Sequence, residues 1–158
     1  MELNDETLRF IREHCKDDVR NLALQAPKYP GVDMPVALTQ IAGRQAAAEK
    51  IPSWHEEEGI LYPRHLSLEQ CSSEATARYK ASIIPESSSG TLTDLTGGFG
   101  IDCAFLSPKF HHVTYVERQE VLCEIASHNF PLLGLNHIRI ENKDGIRHLQ
   151  EMSSADWI

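Results

Sequence analysis

The 158-residue chain has no stretch approaching the roughly 20 apolar residues of a membrane span. Its start, Met1-Glu2-Leu3-Asn4-Asp5-Glu6, is acidic where a secretory leader would be basic and then apolar. The four cysteines, Cys15, Cys71, Cys103 and Cys123, are widely spaced and include no CxxC pair, so they supply neither a disulfide framework nor a zinc ribbon. Reduced thiols in a soluble cytoplasmic protein are the expectation. The eight histidines show no HxxxH or CxxH ligand spacing. His111-His112 therefore reads as loop and strand surface, and no metal site is expected. Positive charge is also short: 15 Lys and Arg stand against 23 Asp and Glu, a net charge of -8. Phosphate binding is dominated by Lys and Arg, so this chain is not itself a nucleic-acid clamp. There is no readable Ser-His-Asp arrangement and no internal repeat.

What is present is a globular composition, 41% hydrophobic and 24% charged, in a length that suits one ordinary domain or a modest domain with a small one appended. Leu8, Ile11, Cys15, Val19 and Leu22 recur at spacings of three and four. That places them on a stripe of one amphipathic helix, or of two broken near Lys16-Asp17-Asp18, with Asn4 or Asp5 as the cap. Asp33 followed by Pro35 predicts a capped helix through about Lys50, closed by Pro52. A loop is expected from Ser53 to Arg64, with Glu56-Glu57-Glu58 as a solvated charge run. Ser67-Leu68-Glu69-Gln70 has the form of a capping box for a helix reaching about Ile84, re-capped at Ser72 or Ser73. Residues 1–84 thus read as an all-helical domain.

The pattern changes at the polar turn cluster Pro85-Glu86-Ser87-Ser88-Ser89-Gly90. Strands are predicted at Leu92 to Leu95, His112 to Glu117 and His137 to Glu141, alternating with helices from Ile101 and from Gln119 to Leu133. Such alternation predicts an α/β fold, with βαβ units in a parallel, Rossmann-like sheet over residues 85–158. Ser153 to Ile158 reads as the approach to a fourth strand, cut off as it starts. The expectation is an N-terminal fragment of a longer protein, whose exposed sheet edge would favour a homodimer.

Between the first strand and the next helix lies Asp94-Leu95-Thr96-Gly97-Gly98-Phe99-Gly100-Ile101-Asp102. Glycines there permit positive φ and let a ligand approach helix-start amides, but they also serve tight strand-to-helix packing. Glu117 ends the second strand, about 20 residues past the first glycine, where an acid can accept both hydroxyls of a ribose or can simply cap a helix. Asp144 follows the third strand, and either accepts from an adenine amino group or caps the next helix. A nicotinamide site is the nearest rival, since Gly98-Phe99-Gly100-Ile101-Asp102-Cys103 offers G-x-G-x-x. It has no third Gly or Ala in register, and Asp94 and Asp102 would place negative charge beside a pyrophosphate. The same acids suit a phosphate-free ligand carrying positive charge.

The segment from Asp94 to Asp102 resembles motif I of class I S-adenosylmethionine-dependent methyltransferases, with Glu117 matching their ribose-binding acid and Asp144 the acid after the third strand. Asn129 with Leu133-Gly134-Leu135 is similar to a helix end of many RNA methyltransferases in the class. Glu69 to Lys80, ahead of the first strand, resembles the helical leader of a bacterial branch whose full-length members carry a THUMP-like domain further on. The resemblance implies S-adenosylmethionine as cofactor, with Asp94 facing its amino-acid part beside Thr96, Gly97 and Gly98, and with Gly100 and Asp102 completing the loop. It further implies that Tyr79 and Lys80 reach the cofactor carboxylate, and that RNA is the methyl acceptor of the full-length protein. The Asp-Pro or Asn-Pro signature of the acceptor site does not occur at a fourth strand here, so the expectation for the chain alone is cofactor binding without turnover. A non-catalytic helical interaction module is the alternative from another class.

Overall fold

Residues 3–85 and 90–158 are described by the computed structural model, and the chain divides into two compact units, Met1–Glu69 and Gln70–Ile158. Most of the polar turn cluster, positions 86–89, lies outside the described residues.

The first unit is helical. Helix α1 (Asp5–Glu13) starts where the Asn4 side chain accepts from the Thr7 amide, and α2 (Val19–Leu24) where Asp18 accepts from the Arg20 and Asn21 amides. The break between them falls at the Lys16-Asp17-Asp18 run, as the sequence predicts. The buried stripe differs. Phe10 and Leu22 are buried with Met34, Ala37 and Ile41, whereas Leu8 is 38% exposed. Helix α3 (Met34–Lys50) is capped by Asp33, whose carboxylate accepts from the Val36 amide. Pro52 closes α3 by opening another helix, α4 (Pro52–Glu56), which buries Trp54 in the stretch read as loop. Proline is tolerated there because a first-turn N–H has no helical acceptor anyway.

Gln40 of α3 is buried, and its amide donates to the Tyr62 carbonyl (2.9 Å) and accepts from the Tyr62 amide (2.8 Å). That reciprocal pair satisfies both ends of a side chain that would be costly to bury unpaired. Gly43, one turn on, is the position where a Cβ would meet Tyr62 Cβ at 2.3 Å, which accounts for a glycine inside an alanine-rich helix. Helix α5 (His65–Gln70) begins two residues before the predicted capping box, and Lys50 donates to the Leu68 and Glu69 carbonyls at its end.

In the second unit, α6 (Glu74–Ser82) is capped by Ser73, and it belongs with the sheet rather than with the helices before it because it packs on α7 (Ile101–Leu106). Strands β1 (Thr91–Asp94), β2 (His112–Glu117) and β3 (Ile138–Asn142) form a parallel sheet in the order β1-β2-β3, with Leu92 opposite Val113, Asp94 opposite Tyr115 and Glu117 opposite Asn142. On the other edge of β1, Trp157 makes an isolated parallel bridge with Leu92 through Thr93 N to Trp157 O (3.0 Å) and Trp157 N to Thr91 O (3.1 Å). Strand order therefore reverses at β1. In open α/β sheets a ligand crevice lies at such a reversal, outside the carboxyl ends of the strands.

Helix α8 (Glu120–Leu132) packs on β2 and β3, burying Leu122, Cys123, Ile125, Ala126, Asn129 and Phe130. Leu133-Gly134-Leu135 is its C-terminal stop: Gly134 has φ 73°, its amide donates to Pro131 O, and the Leu135 amide donates to Phe130 O at 2.8 Å. Helix α9 (Gly145–Glu151) follows β3 and has no buried residue. The four cysteines form no disulfide.

Candidate functional site

Three features meet at the carboxyl end of the sheet: the loop between β1 and α7, the end of β2, and the end of α6. Packing from below shapes the loop. A Cβ on Gly97 would lie 2.3 Å from the Tyr115 ring, and one on Gly100 2.9 Å from Phe130. The two rings stack edge to face at 5.5 Å beneath it. Gly100 also has φ 87° as the cap of α7 and Gly98 has φ 55°. A Cβ on Gly98 would meet nothing nearer than Thr96 O at 3.6 Å, so its requirement is conformational and its outer side is open. Gly97 therefore serves packing against Tyr115, whereas Gly98 is required by its conformation and leaves its outer side open.

The loop is stitched through its backbone. Thr96 N donates to Asp94 Oδ1 (3.0 Å), Gly97 N to Val116 O (2.9 Å), and Gly98 N to Glu117 Oε2 (3.0 Å). All three amides are used by the chain itself. Glu117 Oε1 accepts from Gln119 N at 2.8 Å, so one nearly buried carboxylate joins the loop to the start of α8. The Tyr115 hydroxyl donates to Gly98 O at 2.6 Å. Sequence reading passed over Tyr115, although its place two residues before Glu117, on the same face of a strand, was a signal; the structure sets it opposite Asp94.

Asp94 is half-buried at the end of β1. Burial raises its carboxyl above the ordinary value, the Thr96 amide opposes the rise, the charges of Asp102 and Glu117 add to it, and Lys80 reduces it. Burial likewise pushes the Cys103 thiol well up, helped by Asp94 and Asp102, and holds the Tyr115 phenol protonated. Cys103 is therefore no nucleophile.

Asp102, in the first turn of α7, accepts at Oδ2 from Lys80 Nζ (2.8 Å) and from Ser72 Oγ (2.8 Å), and Lys80 Nζ also donates to Ser72 Oγ (3.0 Å). Its Oδ1 is buried and has no hydrogen-bond partner among the described residues. The structure thus places Lys80 on Asp102, while Tyr79, one residue away on α6, is 68% exposed and does not pack into the core. Asp144 is exposed and caps α9, accepting from Arg147 N at 3.0 Å. It stands at the same sheet edge, outside the network that joins Asp94, Glu117 and the loop. Among the described residues no group of three or more metal-ligating side chains occurs, and no helix is long and apolar enough to cross a membrane.

Comparison with known proteins adds the following. No family model and no curated protein matches the chain. Among solved structures, 95% of the chain superposes with TM-score 0.72 and 27% identity on a protein of Porphyromonas gingivalis W83 described as a "putative methyltransferase". The fold is a partial Rossmann-like methyltransferase fold. The chain spans 38% of that protein's length. Partial likenesses, both at TM-score 0.38, extend to an rRNA methylase of Streptococcus thermophilus (21% identity, 44% of this chain and 41% of that one) and to a conserved hypothetical protein of Streptococcus pyogenes (16% identity, 42% of each).

Proposed function

We propose that the chain carries the S-adenosylmethionine-binding part of a methyltransferase that acts on RNA. The carrying observation is charge at a defined place: where strand order reverses, Asp94, Asp102 and Glu117 surround a glycine loop, and Lys80 is already paired with Asp102. A pyrophosphate would meet acids there, whereas a sulfonium and an ammonium would meet attraction. The donor set fits that cofactor, and Gly98 leaves open space on its outer side.

Glu117 would hold the ribose hydroxyls on the lone pairs its two backbone amides leave available, since a carboxylate offers about four acceptor positions. Asp94 would hold the ammonium end, and Asp144 would accept from the adenine amino group. When bound, the cofactor supplies a methyl group on a positively charged sulfur. This chain's part is to hold and orient that donor, since positioning dominates such transfers. RNA as acceptor rests on the resemblance of the α8 end to RNA methyltransferases, and the acidic chain leaves the phosphate contacts to other parts of a longer protein. In that longer protein a helical domain precedes the methyltransferase domain, to which α6 belongs with the sheet, and a THUMP-like domain lies beyond.

Calorimetric titration tests the cofactor. Saturable binding of S-adenosylmethionine and of its demethylated product, with none of NAD, is expected. A folded sample that binds NAD instead, or binds none of the three, overturns the proposal.

A further inference from the structure

We infer that Tyr115 is a positioning residue of the donor site: its hydroxyl, bonded to the Gly98 carbonyl, seats the residue on which the Glu117 carboxylate rests and so keeps that acid in place for a ligand. The inference rests on the donor-site reading above and extends it to a neutral, fully buried side chain beneath the loop.

Tyr115 and Glu117 alternate onto one face of β2, and both end on Gly98. The Tyr115 hydroxyl donates to Gly98 O at 2.6 Å, and Gly98 N donates to Glu117 Oε2 at 3.0 Å. The Tyr115 ring gives the first contact a fixed base. It packs edge to face on Phe130 at 5.5 Å and lies where a Cβ on Gly97 would come within 2.3 Å. Burial pushes the phenol up, so the hydroxyl remains a donor at every working pH.

Gly98 needs an anchor because little else confines it. It has φ 55° and no side chain, and a Cβ there would meet nothing nearer than Thr96 O at 3.6 Å. Without the hydroxyl, one of the two bonds that seat Gly98 is gone, the residue samples other conformations, and its amide leaves Glu117 Oε2 more often. The carboxylate is then held by Gln119 N on Oε1 at 2.8 Å and can pivot about that bond. A ligand that needs the seated loop binds only the seated fraction of molecules, and its apparent affinity falls by that fraction. Tyr115 is neutral, so charged and uncharged ligands lose alike.

Binding of S-adenosylmethionine and of 5′-methylthioadenosine, which shares the adenosine but neither positive charge, is measured by calorimetry on the native chain, Tyr115→Phe and Phe130→Leu. Melting temperatures and the amide hydrogen exchange of Gly98 are measured on the same chains without ligand. Tyr115→Phe keeps the ring and removes only the hydroxyl. It is expected to weaken both compounds about fivefold, corresponding to about one molecule in five seated, and to speed exchange at Gly98. Its melting temperature should fall by no more than about 4 °C. Phe130→Leu loosens the packing under the same loop and keeps the hydroxyl; it should lower the melting temperature while leaving both affinities within about twofold of native. Unchanged affinity in Tyr115→Phe, a loss confined to S-adenosylmethionine, a loss matched by Phe130→Leu, or a loss with unmoved Gly98 exchange would each overturn the inference. So would a Tyr115→Phe chain that does not fold, since the hydroxyl would then be a requirement of the fold. If the folded native chain binds neither compound, the donor-site reading itself fails. Gly98 exchange then decides the anchoring separately, faster exchange in Tyr115→Phe supporting it and an unchanged rate ending it.

Discussion

The ends of β1 and β2 and the end of β3 each carry an acid at the same edge of one sheet, yet the acids are used differently. Glu117 is 8% exposed and accepts from two backbone amides on separate elements, the loop at Gly98 and the start of α8 at Gln119. Asp94 is half-buried among other carboxylates. Asp144 is exposed and caps the helix that directly follows it. An acid that closes a long-range contact is tied to both fold and site, whereas one that bonds three residues ahead serves mainly its own helix.

Glu117→Ala gives the sharpest test of that contrast. It leaves the Gly98 and Gln119 amides without their acceptor in a nearly buried position, and should cost about 3 kcal/mol in denaturant unfolding while reducing S-adenosylmethionine affinity more than tenfold. Glu117→Gln, which keeps an acceptor, should recover part of the stability. A loss no larger than that of an exposed cap would make the two ends equivalent.

Asp94→Asn separates stability from binding. The folded-state carboxyl lies above its unfolded value, so its contribution to stability is fully present below the unfolded value and is lost as pH rises through the folded one. At neutral pH the ionised, half-buried group therefore opposes folding. An asparagine can still accept from the Thr96 amide. The expected result is an unchanged or higher melting temperature at pH 7, an advantage that shrinks on acidification, together with about tenfold weaker binding of S-adenosylmethionine. Destabilisation at pH 7 as large as that of Glu117→Ala would show Asp94 to be a structural acid.

Asp144→Ala should have the smallest effect, about 1 kcal/mol for a lost helix cap and about threefold in cofactor affinity. A tenfold loss of binding with native stability would draw the end of β3 into the centre of the site.

Local signals made much of this legible in the sequence. The caps at Asp33 and Ser73 are short-range hydrogen bonds that side-chain type announces, and β2 falls on the residues its apolar run predicts. The Ser153 to Ile158 segment reaches β1 at Trp157, in the direction a fourth strand would take. Helix α4 was hidden because a proline that ends one helix can open the next, and its buried Trp54 lies beside acidic residues that read as loop. The stripe of α1 was misjudged because the turn selects Phe10 for burial and leaves Leu8 outward, a choice made by α3 rather than by α1 alone. At the site, residue types and spacing named the acids. They did not show that Lys80 would meet Asp102, or that Tyr115 would reach the loop, since both depend on which elements pack together.

Gly98 is gripped at both of its polar groups by one strand, its carbonyl by the Tyr115 hydroxyl and its amide by the Glu117 carboxylate. Tyr115 and Glu117 are two residues apart, so a slip of β2 by one residue would turn both away together. The loop can take this shape only when the central strand is correctly seated. It therefore acts as a register gauge for the sheet, and a misfolded chain would lose the cradle before any ligand reached it.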